Sequence, residues 1–280
     1  MSKNISLAIL IPTRNRSSYL AELLESMMRQ TLDKNIVVYV RDNNSSDDTQ
    51  AIVESYQKKY SNLVYHKNEI NIGMTPNFMM LVNNCREDYF WLFGDDDMLH
   101  QDGLEKVVNA IENDPDYLVL RDRDGQYESL SDYILDGLFC NPYGQISPTL
   151  ITCNIVKRSS FNLNFATTKY TTQYCHMYGI MKGLNDCGGS VSSRSDKIFF
   201  HRGSNAAPPT DGDWPVNLED EWVRYLHFLV DLVGVEYPWF KIGMIHNKRR
   251  LKYFAGNFFR YIFGNGVTLK IKTLLKIGNR

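Results

Sequence analysis

The residues best placed to do chemistry are three consecutive carboxylates, Asp95-Asp96-Asp97, preceded by Gly94 and standing directly after the apolar run Tyr89 to Phe93. Adjacent like charges repel, so something must offset them. A hard divalent cation such as Mg²⁺ or Mn²⁺ takes carboxylate oxygens together with phosphate oxygens and is a natural counter-ion. Such a cation seated on a diphosphate would act as Lewis acid and template while that group departs. The competing reading is an acidic turn that caps the next helix, where the helix dipole favours Asp; Asp102 already stands at that cap. Two further polar segments have weaker chemistry of their own. In Asp42 to Asp48, a carboxylate at a strand end can accept from a base or ribose, although an Asx-rich solvated turn reads the same way. In Asn71-Ile72-Gly73-Met74-Thr75-Pro76-Asn77, Gly73 permits close backbone approach and Pro76 opens a helix whose N-terminus favours phosphate. His201-Arg202, after the strand-like stretch Lys197 to Phe200, could bring an imidazole or guanidinium to a diphosphate.

These segments need elements to position them, and the chain supplies strands and helices in alternation. Residues 5–11 are a continuous β-prone apolar run, broken by Pro12 to Arg16, and a helix follows from about Ser17, with Ser17 or Ser18 as cap. Its apolar positions Leu20, Leu23, Leu24, Met27 and Met28 keep helical spacing. Residues 36–40 predict a second buried strand, then a helix over Thr49 to Tyr60, a third strand over Leu63 to His66, and a helix near Pro76 to Cys85. The strand Tyr89 to Phe93 and a helix over about Asp102 to Asn113 complete the series. This rhythm predicts a mostly parallel, doubly wound sheet with ligands at the carboxyl ends of its strands. Beyond residue 121 the alternation gives way to segments punctuated by Gly, Pro and Asn, read as the acceptor-shaping half.

The 280 residues, 43% hydrophobic and 22% charged, suffice for a sizeable core. No presequence or uncharged apolar run of spanning length is visible, so the expected setting is the cytoplasm. Five cysteines without a CxxC pair fit neither a disulfide framework nor a zinc ribbon and read as reduced structural thiols. The net charge of −1 conceals an asymmetry. Residues 241–280 hold ten Lys or Arg and no acid, leaving 21 basic against 32 acidic residues in 1–240, a net of −11. With Phe258-Phe259 and Leu274-Leu275, this tail suits an anionic membrane surface more than nucleic acid; a solvated helix is the alternative.

Taken together, four ordered segments resemble glycosyltransferase family 2, inverting enzymes of the GT-A fold, over about residues 5–120. Ile11 to Arg16 is similar to the family's opening loop, and Val40 to Thr49 to its VVDNGSTDGT segment. Asn71-Ile72-Gly73 with Asn77 matches its NxGxxxN element, and Gly94 to Asp97 stands where its DXD metal motif belongs. The resemblance implies an α/β GT-A domain with a nucleotide-sugar half (1–120), an acceptor half (121–240) and a basic helical tail (241–280). It implies Pro12, Thr13 and Asn15 in the nucleotide pocket, Asp42 on the base, and Asn71 and Gly73 near the nucleotide. Asp95 and Asp97 would be the DXD pair on Mn²⁺ or Mg²⁺, with Asp96 as alternative ligand. Many members read Asp-x-Asp-Asp, and that register puts the first Asp on Gly94. For the general base that inverting transfer needs, there are two candidates. Asp220, in Leu218-Glu219-Asp220-Glu221-Trp222, resembles the family's ED motif at an unusually long separation. His176 resembles the Tyr-x-His element of O-antigen sugar transferases. Each has a structural alternative: a hydrogen-bonded buried imidazole for His176, and the acidic first turn of a helix for Glu219 and Asp220. His201 corresponds to a late third metal ligand of some members. The implied reaction moves a hexosyl or deoxyhexosyl group from a nucleotide-sugar donor to a saccharide or lipid-linked acceptor in bacterial surface polysaccharide assembly, at the inner face of the membrane. A sugar-1-phosphate nucleotidyltransferase would need a glycine-rich basic loop after the first strand, and Pro12 to Arg16 contains no glycine; a catalytically inactive scaffold or cation-binding module is the reading from another class.

Overall fold

The computed structural model describes residues 5–121, 124–134, 150–169, 171, 172, 174–201, 224, 225, 228, 229 and 232. Seven consecutive buried residues make β1 (Leu7–Thr13), as a strand covered on both faces requires. Helix α1 (Ser17–Asp33) turns Leu20, Leu23, Leu24, Met27, Met28 and Thr31 inward. Next come β2 (Val37–Asp42), α2 (Thr49–Gln57), β3 (Leu63–Lys67), α3 (Met74–Asn84) and β4 (Tyr89–Leu92). The remaining elements are β5 (Met98–Leu99), α4 (Gly103–Ile111), β6 (Tyr117–Leu120), β7 (Gly125–Tyr127), β8 (Asn154–Lys157), α5 (Leu163–Thr167), α6 (Cys175–Cys187), β9 (Val191–Arg194) and β10 (Phe199–Phe200).

Eight strands form one sheet in the order β3-β2-β1-β4-β8-β6-β9-β7, and β10 pairs with β5 in a separate antiparallel ladder. The ladders β1·β2, β1·β4, β2·β3 and β6·β9 are parallel. Strand β8 runs antiparallel between β4 and β6. The strand order reverses beside β1, with β2 on one side and β4 on the other. In open α/β sheets that reversal opens a crevice at the strands' carboxyl ends, where ligands bind. Trp91, Phe93, Leu104, Val107, Leu118 and Ile155 join the α1 stripe in the core beneath it.

Several local expectations are corrected. The second-half segments β8 and β9, which carry no clear strand pattern in the sequence, join the same sheet. Helix α3 begins at Met74, so Pro76 lies inside its first turn, where a missing N–H costs nothing. Neither Ser17 nor Ser18 caps α1: Arg16 holds the N-cap position, and the Ser17 N–H donates instead to Asp47 Oδ2 at 2.9 Å. Asp102 occupies the N-cap of α4 without capping it, because its carboxylate is taken by Lys106 and His100.

Cys85, Cys153 and Cys175 are buried and Cys187 is exposed, all four as free thiols. No described helix is long and apolar enough to cross a membrane. All described residues belong to one of two compact units, residues 1–134 with 142–233; the other, 135–141 with 234–280, lies outside them, as does the basic tail.

Candidate active site

The end of β4 delivers Gly94 to Asp97 beside the end of β1, and the Asp97 N–H donates to Gly94 O at 3.2 Å to close a tight turn. Thr13, the last residue of β1, donates its hydroxyl to Asp95 Oδ2 at 2.8 Å. Arg16 reaches over the same turn, its Nη1 lying 3.0 Å from Asp95 Oδ1 and 3.1 Å from Asp96 Oδ2. Thr152, just before β8, donates its hydroxyl to Asp97 Oδ2 and accepts from the Gly94 N–H at 2.9 Å. His201, just past β10, places Nδ1 2.9 Å from Asp97 Oδ1. Asp95 and Asp97 are 6% and 4% exposed, whereas Asp96 is half-buried.

Burial is the main force on Asp95; with the Asp96 charge it outweighs the opposing Arg16 guanidinium and raises the carboxyl to about 6. The hydrogen bond to Asp97 raises the His201 imidazole. Burial works to lower the Arg16 guanidinium, but Asp95 and Asp96 outweigh it and the net shift is upward. The mutual repulsion of the aspartates is thus offset in part by Arg16, with hydroxyls on Asp95 and Asp97. A Cβ on Gly94 would lie 3.1 Å from Asp96 Oδ1, 3.2 Å from Asp97 Oδ2 and 3.3 Å from Thr152 Oγ1. A carboxylate in the Asp-x-Asp-Asp register would be tight against these three side-chain oxygens, which would have to shift to admit it.

Among the described residues no three His, Cys, Asp or Glu side chains are arranged as a complete metal cage. Carboxylate oxygens with one imidazole nonetheless fit Mg²⁺ or Mn²⁺, which are commonly held by one or two carboxylates while substrate phosphates and water fill the shell.

Around this turn the other predicted residues build the loops. Pro12 is buried and in register with Arg41. Asn15 adopts φ 52; its backbone N–H donates to Ser45 Oγ at 2.9 Å and its Oδ1 accepts from the Ser46 N–H at 2.8 Å, tying the loop after β1 to the loop after β2. Asp42 is fully buried. Its Oδ1 accepts from the Ser45 N–H at 2.7 Å and hydroxyl at 2.5 Å, and its Oδ2 from the Tyr65 hydroxyl at 2.7 Å. That carboxylate therefore shapes the loop. Asn71 Oδ1 accepts from Asn43 Nδ2 at 2.6 Å and from the Gly73 N–H at 2.9 Å. Asn68 Nδ2 spans Asn43 Oδ1 at 3.0 Å and Asn77 Oδ1 at 2.9 Å, closing an asparagine network between the loops after β2 and β3 and the start of α3. Gly73, the N-cap of α3, has φ 86 and ψ 158, a conformation that only glycine adopts readily.

His176 is 1% exposed in the first turn of α6, whose approach is held to α3 by Thr75 donating to Thr172 O at 3.3 Å. Asp220 and Glu219 lie outside the described residues. Reasoning from sequence did not assign roles to Arg16, Asn43, Tyr65, Asn68 or Thr152. Arg16 and Asn43 stood inside segments already singled out, but nothing local marks Thr152, which meets Asp97 from 55 positions away.

Comparison with known proteins agrees with this arrangement. The model of a family described as Glycosyl transferase family 2 matches residues 8–185. Abequosyltransferase RfbV of Salmonella typhimurium is 35% identical over 118 residues, which cover 41% of this chain and 35% of that protein. An uncharacterized glycosyltransferase of Methanocaldococcus jannaschii, MJ1057, is 28% identical over 116 residues, covering 41% and 40%. The matched stretch therefore spans well under half of these relatives' length. Among solved structures, residues 1–349 of S. aureus TarS in complex with UDP-GlcNAc superpose with TM-score 0.60 at 18% identity, covering 95% of this chain and 76% of that one. The mannosyltransferase PcManGT from Pyrobaculum calidifontis, in complex with GDP-Man and Mn²⁺, gives 0.52 at 13% identity, covering 100% and 82%. At these identities the structural likeness speaks for the fold.

Proposed function

The chain belongs to glycosyl transferase family 2, and from that premise we propose that it moves a hexosyl or deoxyhexosyl group from a nucleotide-diphosphate sugar to a saccharide or lipid-linked acceptor, inverting the anomeric centre with the aid of Mn²⁺ or Mg²⁺. The observation that carries this reading is the gathering of Asp95, Asp96 and Asp97 with Thr13, Arg16 and His201 at the strand-order reversal. Relatives named for abequosyl transfer and minor teichoic acid biosynthesis favour surface polysaccharide assembly as the setting. The neighbours' complexes with UDP-GlcNAc and with GDP-Man and Mn²⁺ favour the donor class and the cation.

In this reading Asp95 and Asp97 would hold the cation, with Asp96 as the alternative ligand and His201 as the candidate third one, and the cation would offset charge building on the leaving diphosphate. Pro12, Thr13 and Asn15 border the nucleotide from the first loop, and Asp42, Asn71 and Gly73 stiffen the two loops facing it. The base, His176 or Asp220, takes the proton from the acceptor hydroxyl as its oxygen attacks the anomeric carbon opposite the departing diphosphate. His176 needs its cover opened to reach an acceptor. Removing the true base should cost roughly 10²- to 10⁴-fold in rate; a variant within about tenfold of wild type excludes that residue. Anomeric configuration of the product by NMR tests inversion. The tail over residues 248–280 is assigned to an anionic membrane surface on the cytoplasmic side, and unchanged vesicle partitioning after its deletion would remove that assignment.

The deciding experiment is calorimetric titration with UDP, GDP, CDP and dTDP, each with Mn²⁺, Mg²⁺ or EDTA, on the wild type and Asp97→Ala. Binding of one nucleotide that needs the cation and disappears in the variant supports the reading. Absence of binding under every condition overturns it.

A further inference from the structure

Arg16 leads α1 from the N-cap position, its carbonyl accepting from the Leu20 N–H at 3.0 Å, so its backbone is anchored at the end of β1. Its side chain, 17% exposed, engages Asp95 and Asp96 through Nη1 alone, at 3.0 and 3.1 Å. Nε and Nη2 have no described partner. A guanidinium binds carboxylate or phosphate most strongly through two parallel N–H bonds. The hold on the aspartates is therefore a single-pronged one.

We propose that Arg16 is an exchangeable counter-ion: it closes the aspartate pair in the empty protein and passes to the diphosphate of the nucleotide when donor and cation enter. The proposal rests on the transferase reading above. A divalent cation taking Asp95 Oδ1 or Asp96 Oδ2 competes with Nη1 for the same oxygens, because dication and guanidinium repel each other at that range. The other edge of Asp95 is held by Thr13, and both oxygens of Asp97 by Thr152 and His201. Once displaced, a guanidinium a few ångströms from a dication is repelled by it. A diphosphate removes that conflict, since it offers oxygens to the cation and a planar, bidentate partner to the freed fork. Cation and nucleotide should thus bind weakly apart and tightly together, each raising the other's affinity by the same factor.

The test measures Mn²⁺ binding to the full chain without nucleotide, by the electron paramagnetic resonance of free Mn²⁺, in wild type, Arg16→Gln and Arg16→Lys. The nucleoside diphosphate that binds wild type best is then titrated calorimetrically in EDTA against the same three proteins. Arg16→Gln should bind Mn²⁺ alone about tenfold or more tightly than wild type, the order by which a neighbouring guanidinium biases a carboxylate. It should bind the nucleotide in EDTA about tenfold or more weakly, with Arg16→Lys between the two. A Gln variant that binds Mn²⁺ no tighter, or nucleotide no weaker, than wild type overturns the exchange. Wild type that binds no nucleoside diphosphate with any cation overturns the transferase reading and this proposal with it. Wild-type binding beside an unmoved Gln variant overturns the role of Arg16 alone.

Discussion

Replacing Thr152 by Val keeps the shape of the side chain and removes its hydroxyl, which sits 1% exposed between two groups it satisfies at once. The hydroxyl donates to Asp97 Oδ2 and accepts from the Gly94 N–H at 2.9 Å. Loss of a hydrogen bond to a charged group costs about 1.5–3 kcal/mol, and stranding a buried neutral N–H costs roughly 1 kcal/mol more. Thr152→Val should therefore destabilise the fold by about 2.5–4 kcal/mol. Urea unfolding followed by tryptophan fluorescence reads this close to the lesion, because Trp91 Nε1 donates to Thr152 O at 2.9 Å. The same hydroxyl orients the carboxylate proposed to hold the cation, and such outer partners are worth about 10–100-fold in metal affinity. Mn²⁺-dependent nucleotide binding should weaken by that factor. Thr152→Ser keeps the oxygen and should recover most of both losses. A Val variant within about 0.5 kcal/mol of wild type, with unchanged cation affinity, would show that neither hydrogen bond matters and would refute the account of Asp97's surroundings.

Other perturbations probe the scaffold. A Cβ on Gly103 would stand 2.2 Å from Ile198 O and 3.0 Å from Leu99 Cδ1, so Gly103→Ala should cost about 1–3 kcal/mol in urea unfolding; a neutral outcome would mean that α4 does not press on the segment leading to β10. Asp47→Ala removes acceptors from the Ser17 N–H at 2.9 Å and the Thr49 N–H at 3.1 Å and should cost about 1–2 kcal/mol. Burial alone would raise the Asp47 carboxyl, but bonds from Thr49 and Ser17 outweigh it and hold it below the usual range. Its stabilising effect is therefore present above the unfolded carboxyl's pKa and lost as pH falls through the folded value, so the wild-type advantage over the variant should shrink on acid titration. Iodoacetamide at pH 8 should label Cys187 and spare Cys85, Cys153 and Cys175 in native protein, as peptide mapping would read. Cys85 is pushed up to about 12 by burial and by Glu87, and Cys175 to about 12 by burial. Labelling of Cys85 before unfolding would contradict its burial.

The order of elements through α4, apart from the two-residue β5, was legible in the sequence because each signal is local. A buried parallel strand must be apolar throughout, as Leu7 to Ile11 is, and a helix must repeat its apolar stripe, as Leu20 to Met28 does. Alternation of the two predicts a parallel sheet, and a parallel sheet puts Thr13, Asp42 and Asp95 at one edge without further information. What only the tertiary structure decided is which partners those residues meet. Thr152 reaches Asp97 because β8 inserts antiparallel between β4 and β6, and His201 lies beside Asp97, 104 positions away, because β10 pairs with β5. The cap of α1 comes from Asp47 on another loop for the same reason: parallel β1 and β2 bring their outgoing loops side by side. Arg16 as counter-ion, Asp42 turned inward onto Tyr65 and Ser45, and His176 buried in α6 likewise depend on strand order and register. A hydrogen bond between distant residues leaves no periodicity in the chain, so residue type and spacing can nominate such groups but cannot pair them.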